Sequence, residues 1–280
     1  VLMASNTFIP YLQRILTELM KLTILASGSK GNCACLQGER GALLIDAGLS
    51  ARETLRRLDA AGGDASLIEG ILVTHEHIDH VRGLDVLSRR LGVPVYATGG
   101  TLEAILEKSE ASMADLRRCR SGERFSLGDF SIEPFPTSHD AREPCGFCIA
   151  EGDLRIGCCT DTGTITATIS DRLATCDAVL LESNHCPDML ENGPYPPYLK
   201  NRIRSKRGHL SNPDAARCLQ RLADHIQVAM LAHLSEVNNT PEKVRLSALE
   251  GLGLYSDQVG VGVAPQDPGA VHPESCGFRL

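Results

Sequence analysis

The chain has 280 residues, of which 42% are hydrophobic and 22% charged, and its 28 Lys and Arg against 35 Asp and Glu give a formal net charge of −7. This balance is typical of a globular chain with a sizeable core and excludes a disordered, collagenous or repeat protein. The acidic charge also excludes nucleic-acid binding by overall charge, so a polyanion would need a local basic patch. No run approaches the roughly 18 apolar residues of a membrane helix, so we expect no membrane partner.

Short apolar runs alternate with helical periodicity from residue 21 onward. The predicted strands cover residues 22–26, 42–46, 70–74, 93–97, 130–135, 145–150, 154–159, 178–182 and 227–232. The predicted helices cover about residues 50–61, 80–91, 101–109, 165–174, 188–204, 212–224 and 240–252. Hairpin-like links in the first half and strand–helix alternation in the second predict an α+β fold, with two sheets face to face and helices outside.

The two ends of the chain differ from its middle in sequence pattern. Apolar residues at helical spacing predict a short amphipathic extension in residues 1–20, and no export signal. Residues 264–280 carry three prolines and no periodicity, which predicts a flexible C-terminal tail. We therefore expect one continuous domain over residues 21–263.

Eleven cysteines without a regular framework fit reduced thiols better than disulfides, which predicts a cytoplasmic protein. The cysteines at 145, 148, 158 and 159 also admit a zinc knuckle or a redox switch. Since they lie in apolar strand sequence, we expect them to act as small buried hydrophobes.

The segment from Thr74 to His80 contains the motif His75-x-His77-x-Asp79-His80, between a predicted buried strand and a predicted helix. Residues i and i+2 of an extended segment project to one side, so His75 and His77 can bind one cation together. The turn into the helix directs Asp79 and His80 to a neighbouring point. A lone His-x-His is better explained as a polar helix cap, but four ligand groups within six residues predict a divalent-metal site.

Four other polar residues end or follow predicted strands: Asp46, His139, Asp161 and His233. Open α/β sheets bind their ligands at the carboxyl ends of strands. Individually each residue is better explained as a cap or turn residue, but together they supply what two metal ions need.

This ordered set resembles the metallo-β-lactamase superfamily over about residues 21–263. The resemblance implies an αβ/βα four-layer sandwich that holds two divalent metal ions, with Zn, Mn and Fe all compatible with the ligands. It implies that the first metal is bound by His75, His77 and His139, and the second by Asp79, His80 and His233. Asp161 would bridge the metals, and Asp46 would orient a ligand histidine from behind. Such a pair of ions activates a bridging hydroxide as nucleophile and clamps the attacking and leaving oxygens.

Two later segments bear on the substrate. His209 opens a helix and is a candidate general acid for an alkoxide leaving group, with Glu182 as the carboxylate that orients it. With Asp79, these two residues form the predicted catalytic set. A solvent-facing helix start remains the alternative for His209. His185 is a candidate to support the ligands from behind, with simple packing beside the site as the favoured alternative.

A basic strip lies directly before His209 in this otherwise acidic chain. It contains Lys200, Arg202, Arg204, Lys206 and Arg207. Its spacing suits contact with a phosphate backbone and not base reading, so we expect a nucleic-acid partner. Ser211 and Asn212, just after His209, join the predicted substrate contacts.

The finer resemblance is to the YycJ/VicX (WalJ) branch, on five matching segments: residues 25–32, 138–144, 182–185, 208–212 and 233–242. It implies a metal-dependent 5′→3′ exonuclease on double-stranded DNA. One departure is Cys186, where the branch usually has Asp.

Related enzymes do not fit the spacing. The interval from Asp161 to His233 is too short for the inserted domain of β-CASP nucleases, and that from His139 to Asp161 is too short for the arm of ribonuclease Z. Hydrolysis of small phosphodiesters or RNA ends remains an alternative, as does a non-catalytic metal-binding regulator. The sequence leaves the oligomeric state open.

Overall fold

The computed structural model describes residues 20–108, 115–265 and 277–280. The predicted N-terminal extension, apart from Met20, and residues 266–276 of the predicted tail lie outside this part of the chain. Within it, no helix combines the length and the apolar character needed to cross a membrane.

The first sheet has seven strands in the order β14-β1-β2-β3-β4-β5-β6. Strands β1 to β3 are antiparallel, whereas β3 to β6 run parallel. The strands are β1 (Lys21–Ala26), β2 (Cys33–Gln37), β3 (Ala42–Ile45), β4 (Ile68–Leu72), β5 (Val95–Thr98), β6 (Leu116–Cys119) and β14 (Gly277–Arg279). The helices of this half are α1 (Ala51–Ala60), α2 (Ile78–Val81), α3 (Leu84–Leu91) and α4 (Gly99–Lys108), with a 3₁₀ turn at Ala65–Leu67.

The second sheet mirrors the first, with the order β13-β12-β11-β10-β9-β8-β7. Strands β7 to β10 are antiparallel, and β10 to β13 are parallel. The strands are β7 (Phe125–Leu127), β8 (Phe130–Pro136), β9 (Cys145–Glu151), β10 (Leu154–Cys159), β11 (Ala178–Glu182), β12 (Val228–Ala232) and β13 (Gly260–Val263). The helices are α5 (Ala167–Leu173), α6 (Pro187–Asn192), α7 (Pro197–Ile203), α8 (Asn212–Leu222) and α9 (Pro241–Leu252), and a 3₁₀ turn covers Gly253–Tyr255.

Three apolar clusters separate four layers. Side chains alternate across each strand, so Leu43 of β3 and Leu180 of β11 enter the cluster between the sheets. Their neighbours face the opposite way: Leu44 packs in the outer cluster of the first sheet, and Leu181 in that of the second. Because both faces of each sheet are buried, the strands are almost continuously apolar. The αβ/βα four-layer sandwich predicted from the sequence is confirmed.

The predicted strands are all present, but five strands were missed: β2, β6, β7, β13 and β14. Two predicted helices are each broken into two. Residues 80–91 divide into α2 and α3 at Gly83, and residues 188–204 divide into α6 and α7 at Gly193 and the prolines that follow it. A Cβ on Gly83 would collide with the Leu49 carbonyl, which explains why glycine stands at that break.

The predicted flexible tail is wrong at its last residues. Strand β14 pairs antiparallel with β1, with Leu22 opposite Phe278, and Leu280 donates its amide to the Met20 carbonyl. Ala264, the first residue assigned to the tail, is fully buried and donates its amide to Leu231. The end of the chain therefore completes the edge of the first sheet, since unpaired strand edges favour such additions.

Candidate metal centre

The carboxyl ends of strands from both sheets meet at one edge of the sandwich. Asp46 follows β3, Asp161 follows β10, and His233 follows β12, each by one or two positions. These three residues have φ angles of 60°, 54° and 57°, which makes them the non-glycine residues with left-handed backbone in the described part of the chain. Such conformations cost of order 1–3 kcal/mol each and persist where surrounding contacts hold them, which is typical of functional sites.

The first predicted ligand set comes together. Ring nitrogens of His75, His77 and His139 lie within 4.8 Å of one another. His75 Nε2 lies 3.0 Å from His77 Nδ1, which in turn lies 3.3 Å from His139 Nε2. Tetrahedral zinc with bonds of about 2.0–2.1 Å spaces its nitrogen ligands about 3.3 Å apart. The three imidazoles therefore fit one metal ion.

The second predicted set, Asp79, His80 and His233, also places its ligand atoms within 4.8 Å. Asp79 Oδ2 lies 3.5 Å from His80 Nε2 and 3.8 Å from His233 Nε2. His233 Nε2 is buried and has no hydrogen-bond partner among the described residues. A buried ring nitrogen without a partner is costly unless something else satisfies it, and a metal ion would do so.

Asp161 reaches both sets. Its Oδ2 lies 3.3 Å from His80 Nε2, and its Oδ1 lies 3.7 Å from His139 Nε2. The side chain is buried, so this carboxylate is positioned between the two clusters, where the resemblance assigned a bridging ligand.

Hydrogen bonds on the side of each imidazole away from the candidate metal centre fix which ring nitrogen faces that centre. The Nδ1 atom of His80 lies 2.7 Å from Asp46 Oδ2, that of His139 lies 2.9 Å from the Gly208 carbonyl, and that of His233 lies 2.9 Å from Glu182 Oε1. Because each partner is an acceptor, each Nδ1 carries the proton, which leaves Nε2 free to bind metal. Asp46 thus contacts His80, one of the predicted ligand histidines.

The buried charges favour a cation. Burial opposes the charged form of His80, but the carboxylates of Asp46 and Asp161 outweigh it and raise its pKa well above the ordinary value. Burial also opposes the charged form of His233, but the carboxylates of Asp161, Asp79 and Glu182 outweigh it and raise its pKa to about 10. By contrast, burial and neighbouring imidazoles lower the pKa of His75, which keeps it neutral as a metal ligand must be.

His209 stands beside both clusters. Its Nδ1 lies 2.7 Å from Glu182 Oε1, and its ring is 5.0 Å from that of His139 and 5.2 Å from that of His233. Burial opposes ionisation of Glu182, but the imidazoles of His209 and His233 outweigh it and hold its pKa at about 2. The structure therefore places the contact that the sequence suggested, with a charged carboxylate behind His209 and the ring 17% exposed.

Two cavities open at this edge. The larger, of about 230 Å³, is lined by members of each cluster and by their surroundings, among them His77, Asp79, Asp161, His233, His209, Ser29, Arg202 and Tyr195. A smaller one, of about 190 Å³, lies on the other side of His209 and is lined by His185, Arg204 and Ser211. His209 thus separates the metal cavity from a second, smaller one.

The predicted basic strip is exposed but partly neutralised by the chain itself. Arg202 forms an ion pair with Asp140 at 2.5 Å, and Arg204 forms one with Glu191 at 2.7 Å. Arg207 donates to the carbonyl oxygens of His139 and Ala141, which ties the end of the strip to the metal loop. Lys200 donates to the Glu191 carbonyl, and Lys206 is exposed.

The predicted substrate contacts Ser211 and Asn212 need correction, whereas His185 packs beside the site, which was its simpler interpretation. Asn212 is buried, and its amide is engaged by Ser183 and Asn239, so it holds the loops together and does not reach the metal cavity. Ser211 caps α8 by accepting from the Asp214 amide, and it faces only the smaller cavity. His185 is buried beside that cavity and belongs to none of the metal clusters.

Other contacts were missed because they join distant segments. Asn32, in the turn after β1, donates to Asp79 Oδ2 at 3.1 Å, and Ser27 in that turn accepts from the His233 amide at 2.8 Å. From the sequence, Glu182 was predicted to contact His209, and its second contact, with His233, was missed. The cysteines, in contrast, behave as predicted: the ten described are free thiols, nine of them buried, and none belongs to the metal clusters of the described residues.

The sequence matches the Beta-lactamase superfamily domain over residues 42–234. The chain belongs to this superfamily and is a metal-dependent hydrolase. It is 36% identical over 246 residues to Exodeoxyribonuclease YycJ of Bacillus anthracis, covering 87% of this chain and 92% of that protein. It is 35% identical over 249 residues to Exodeoxyribonuclease WalJ of Streptococcus pneumoniae, covering 87% and 91%. Within the superfamily, the chain therefore falls in the YycJ/WalJ branch.

Solved structures support the fold. The metallo-β-lactamase fold protein YhfI from Bacillus subtilis superposes with a TM-score of 0.69 at 16% identity, covering 94% of this chain and 99% of that one. Zn²⁺-bound PqqB from Methylobacterium extorquens superposes with a TM-score of 0.65 at 17% identity, covering 93% and 99%.

Proposed function

We propose that this chain is a nuclease that uses two divalent metal ions to hydrolyse phosphodiesters, and that it digests double-stranded DNA from the 5′ end. The observation that carries the proposal is the convergence of two ligand clusters on Asp161, which contacts both. Relatives that share most of the chain's length bear the name exodeoxyribonuclease, which supports DNA as the substrate. The free thiols of the described cysteines support a reducing compartment such as the cytoplasm.

When bound, two divalent ions would lower the pKa of a water molecule and neutralise charge on the phosphodiester. The chain's own task is to hold the substrate and to move a proton. Arg202 lines the cavity, where its guanidinium can contact a phosphate oxygen. The rest of the basic strip would contact the backbone without reading sequence.

His209 is the proton donor in this proposal. Its Nδ1 is held by Glu182, so its Nε2 remains for the substrate. Departure of a sugar alkoxide is unfavourable without a proton, because alkoxides are strong bases. The ionised Glu182 accepts a hydrogen bond from His209 Nδ1 and fixes the plane of the ring, as carboxylates behind catalytic histidines do.

The test is a substrate panel. Protein loaded with Mn²⁺ or Zn²⁺ is incubated with duplex DNA labelled at the 5′ or the 3′ end, with duplex RNA, and with bis(p-nitrophenyl) phosphate. We expect the 5′ label to be released first, as a mononucleotide, while the strand that carries the 3′ label shortens progressively. D161N should lose this activity, whereas D129N, an exposed carboxylate paired with Arg40, should keep it. Turnover of RNA or of the small diester alone would replace the proposal by the narrower hydrolase, and no turnover with either metal would favour a regulator.

A further inference from the structure

The wall of the metal cavity contributed by the segment around α7 is apolar, in contrast to the rest of its lining. Tyr195, Leu199 and Ile203 line it, together with Arg202. Leu199 and Ile203 are four residues apart on α7 and so share one helix face. Tyr195 lies one spacing of four earlier, just before the helix, and continues the same wall.

The binding of metal ions and a phosphodiester does not explain why this wall is apolar. The other lining residues include the ligands Asp79, Asp161 and His233, which already provide polar contacts. Tyr195 and Leu199 leave part of this wall open to water, and ligand cavities use such apolar surface to cover an apolar group of the ligand. Its position beside the metal ligands means that this group is part of the molecule whose phosphate reaches the metals.

Tyr195 has the chemistry to select that group. Among the described residues that line the cavity, it is the one phenol ring, and the chain has no Trp, with only 5 Tyr and 6 Phe. It is half-buried and flanked by Pro194, Pro196 and Pro197. Proline fixes its own φ and restricts the residue before it, so the backbone of Tyr195 is held before any ligand arrives. A rigid aromatic face loses little entropy when a flat ring stacks on it.

We propose that Tyr195, supported by Leu199, binds the nucleobase next to the phosphodiester held at the metal centre. This inference rests on the proposed function and specifies which part of the substrate the α7 side of the cavity recognises. Stacking on an aromatic face tolerates every base, so it provides affinity and positioning without sequence preference. Tyr195 is a positioning residue, which places the phosphate by holding the base attached to it.

The test compares two probes that differ only by the base. Calorimetry on Mn²⁺-loaded protein measures the dissociation constants of thymidine 5′-monophosphate and 2-deoxyribose 5-phosphate. Stacking predicts that the nucleotide binds about 5- to 100-fold more tightly than the sugar phosphate. Tyr195→Ala should remove this difference by weakening the nucleotide alone, while Tyr195→Phe should retain it because the ring and not the hydroxyl is used.

Tyr198→Ala is the matched control, since Tyr198 is 75% exposed and does not line the cavity. It should leave the ratio unchanged. Unchanged affinity for the sugar phosphate in Y195A shows that the site is still folded. Equal binding of both probes by the wild type, or an unaltered ratio in Y195A, would overturn the inference.

This binding ratio does not depend on turnover. If Y195A abolishes the ratio but no nucleic acid is hydrolysed, the proposed function fails and the nucleobase site stands. If DNA is digested but the binding ratio survives in Y195A, the proposed function stands and the nucleobase site at Tyr195 fails.

Discussion

Asp46 offers a direct perturbation of the metal centre without touching a ligand. Its carboxylate is buried and receives the Thr74 amide at 2.8 Å on Oδ1 and His80 Nδ1 at 2.7 Å on Oδ2. Asp46→Asn keeps the shape and tolerates the φ of 60°, since asparagine readily adopts left-handed backbone. The amide oxygen can keep the Thr74 contact, but the amide nitrogen then faces the N–H of His80.

Two outcomes are possible at His80, and both weaken metal binding. Either two N–H groups oppose each other, or the imidazole changes tautomer and turns a protonated Nε2 toward the metal. Loss of one hydrogen bond to a charged group is worth about 1.5–3 kcal/mol. The corresponding change in metal affinity is about 10- to 100-fold, the usual effect of altering a partner behind a ligand.

The assay is competition with a chromophoric chelator for Zn²⁺, combined with urea unfolding of the metal-free protein. We expect D46N to lose metal affinity by that factor, and its metal-free form to lose about 1.5–3 kcal/mol of unfolding free energy, since the Asp46 carboxylate stabilises the charged form of the buried His80. D129N, whose exposed carboxylate pairs with Arg40, should match the wild type in both. Metal affinity of D46N within twofold of the wild type would refute this reasoning.

Three further changes separate acid catalysis, phosphate contact and a buried histidine. His209→Gln should lower kcat on DNA by about 10²- to 10⁴-fold but affect bis(p-nitrophenyl) phosphate far less, because nitrophenolate needs no proton to leave; equal losses would contradict the proton-donor role. Lys206→Gln should reduce the slope of log affinity against log salt by about 0.9, whereas Lys243→Gln on α9 should not, and equal slopes would remove Lys206 from the interface. Burial lowers the pKa of His185 to about 4 in the folded protein. As the pH falls below about 6.5, the unfolded chain therefore takes up a proton on His185 before the folded chain does. The free energy of unfolding should therefore decline between pH 6.5 and 4, by up to about 3 kcal/mol, and less steeply in His185→Asn; parallel curves in urea titrations would contradict that assignment.

Much of the centre was predictable because ligands follow buried strands. An acid or histidine directly after four apolar residues marks the carboxyl end of a strand, and parallel strands bring those ends together. Asp46 and His233 were found in this way, and Asp161 was found two positions after such a strand. Their left-handed backbone was not, since it depends on contacts such as the Ser27 hydroxyl at the His233 amide, from more than 200 positions away in the chain.

The missed strands and contacts have physical reasons. Strand β6 contains Arg117 and Arg118, both exposed, so an edge strand resembled a polar turn. The break between α6 and α7 was visible in Pro194, Pro196 and Pro197, but helical spacing on both sides concealed it. The hydrogen bond between Glu182 and His233 joins neighbouring strands through side chains, and no periodicity reports such a pair.

The account depends above all on two metal ions sharing Asp161. Anomalous diffraction from crystals containing Mn²⁺ tests this directly. We predict two peaks about 3.5–4 Å apart, one among His75, His77 and His139 and the other among Asp79, His80 and His233. A single peak, or two peaks that do not both contact Asp161, would contradict it.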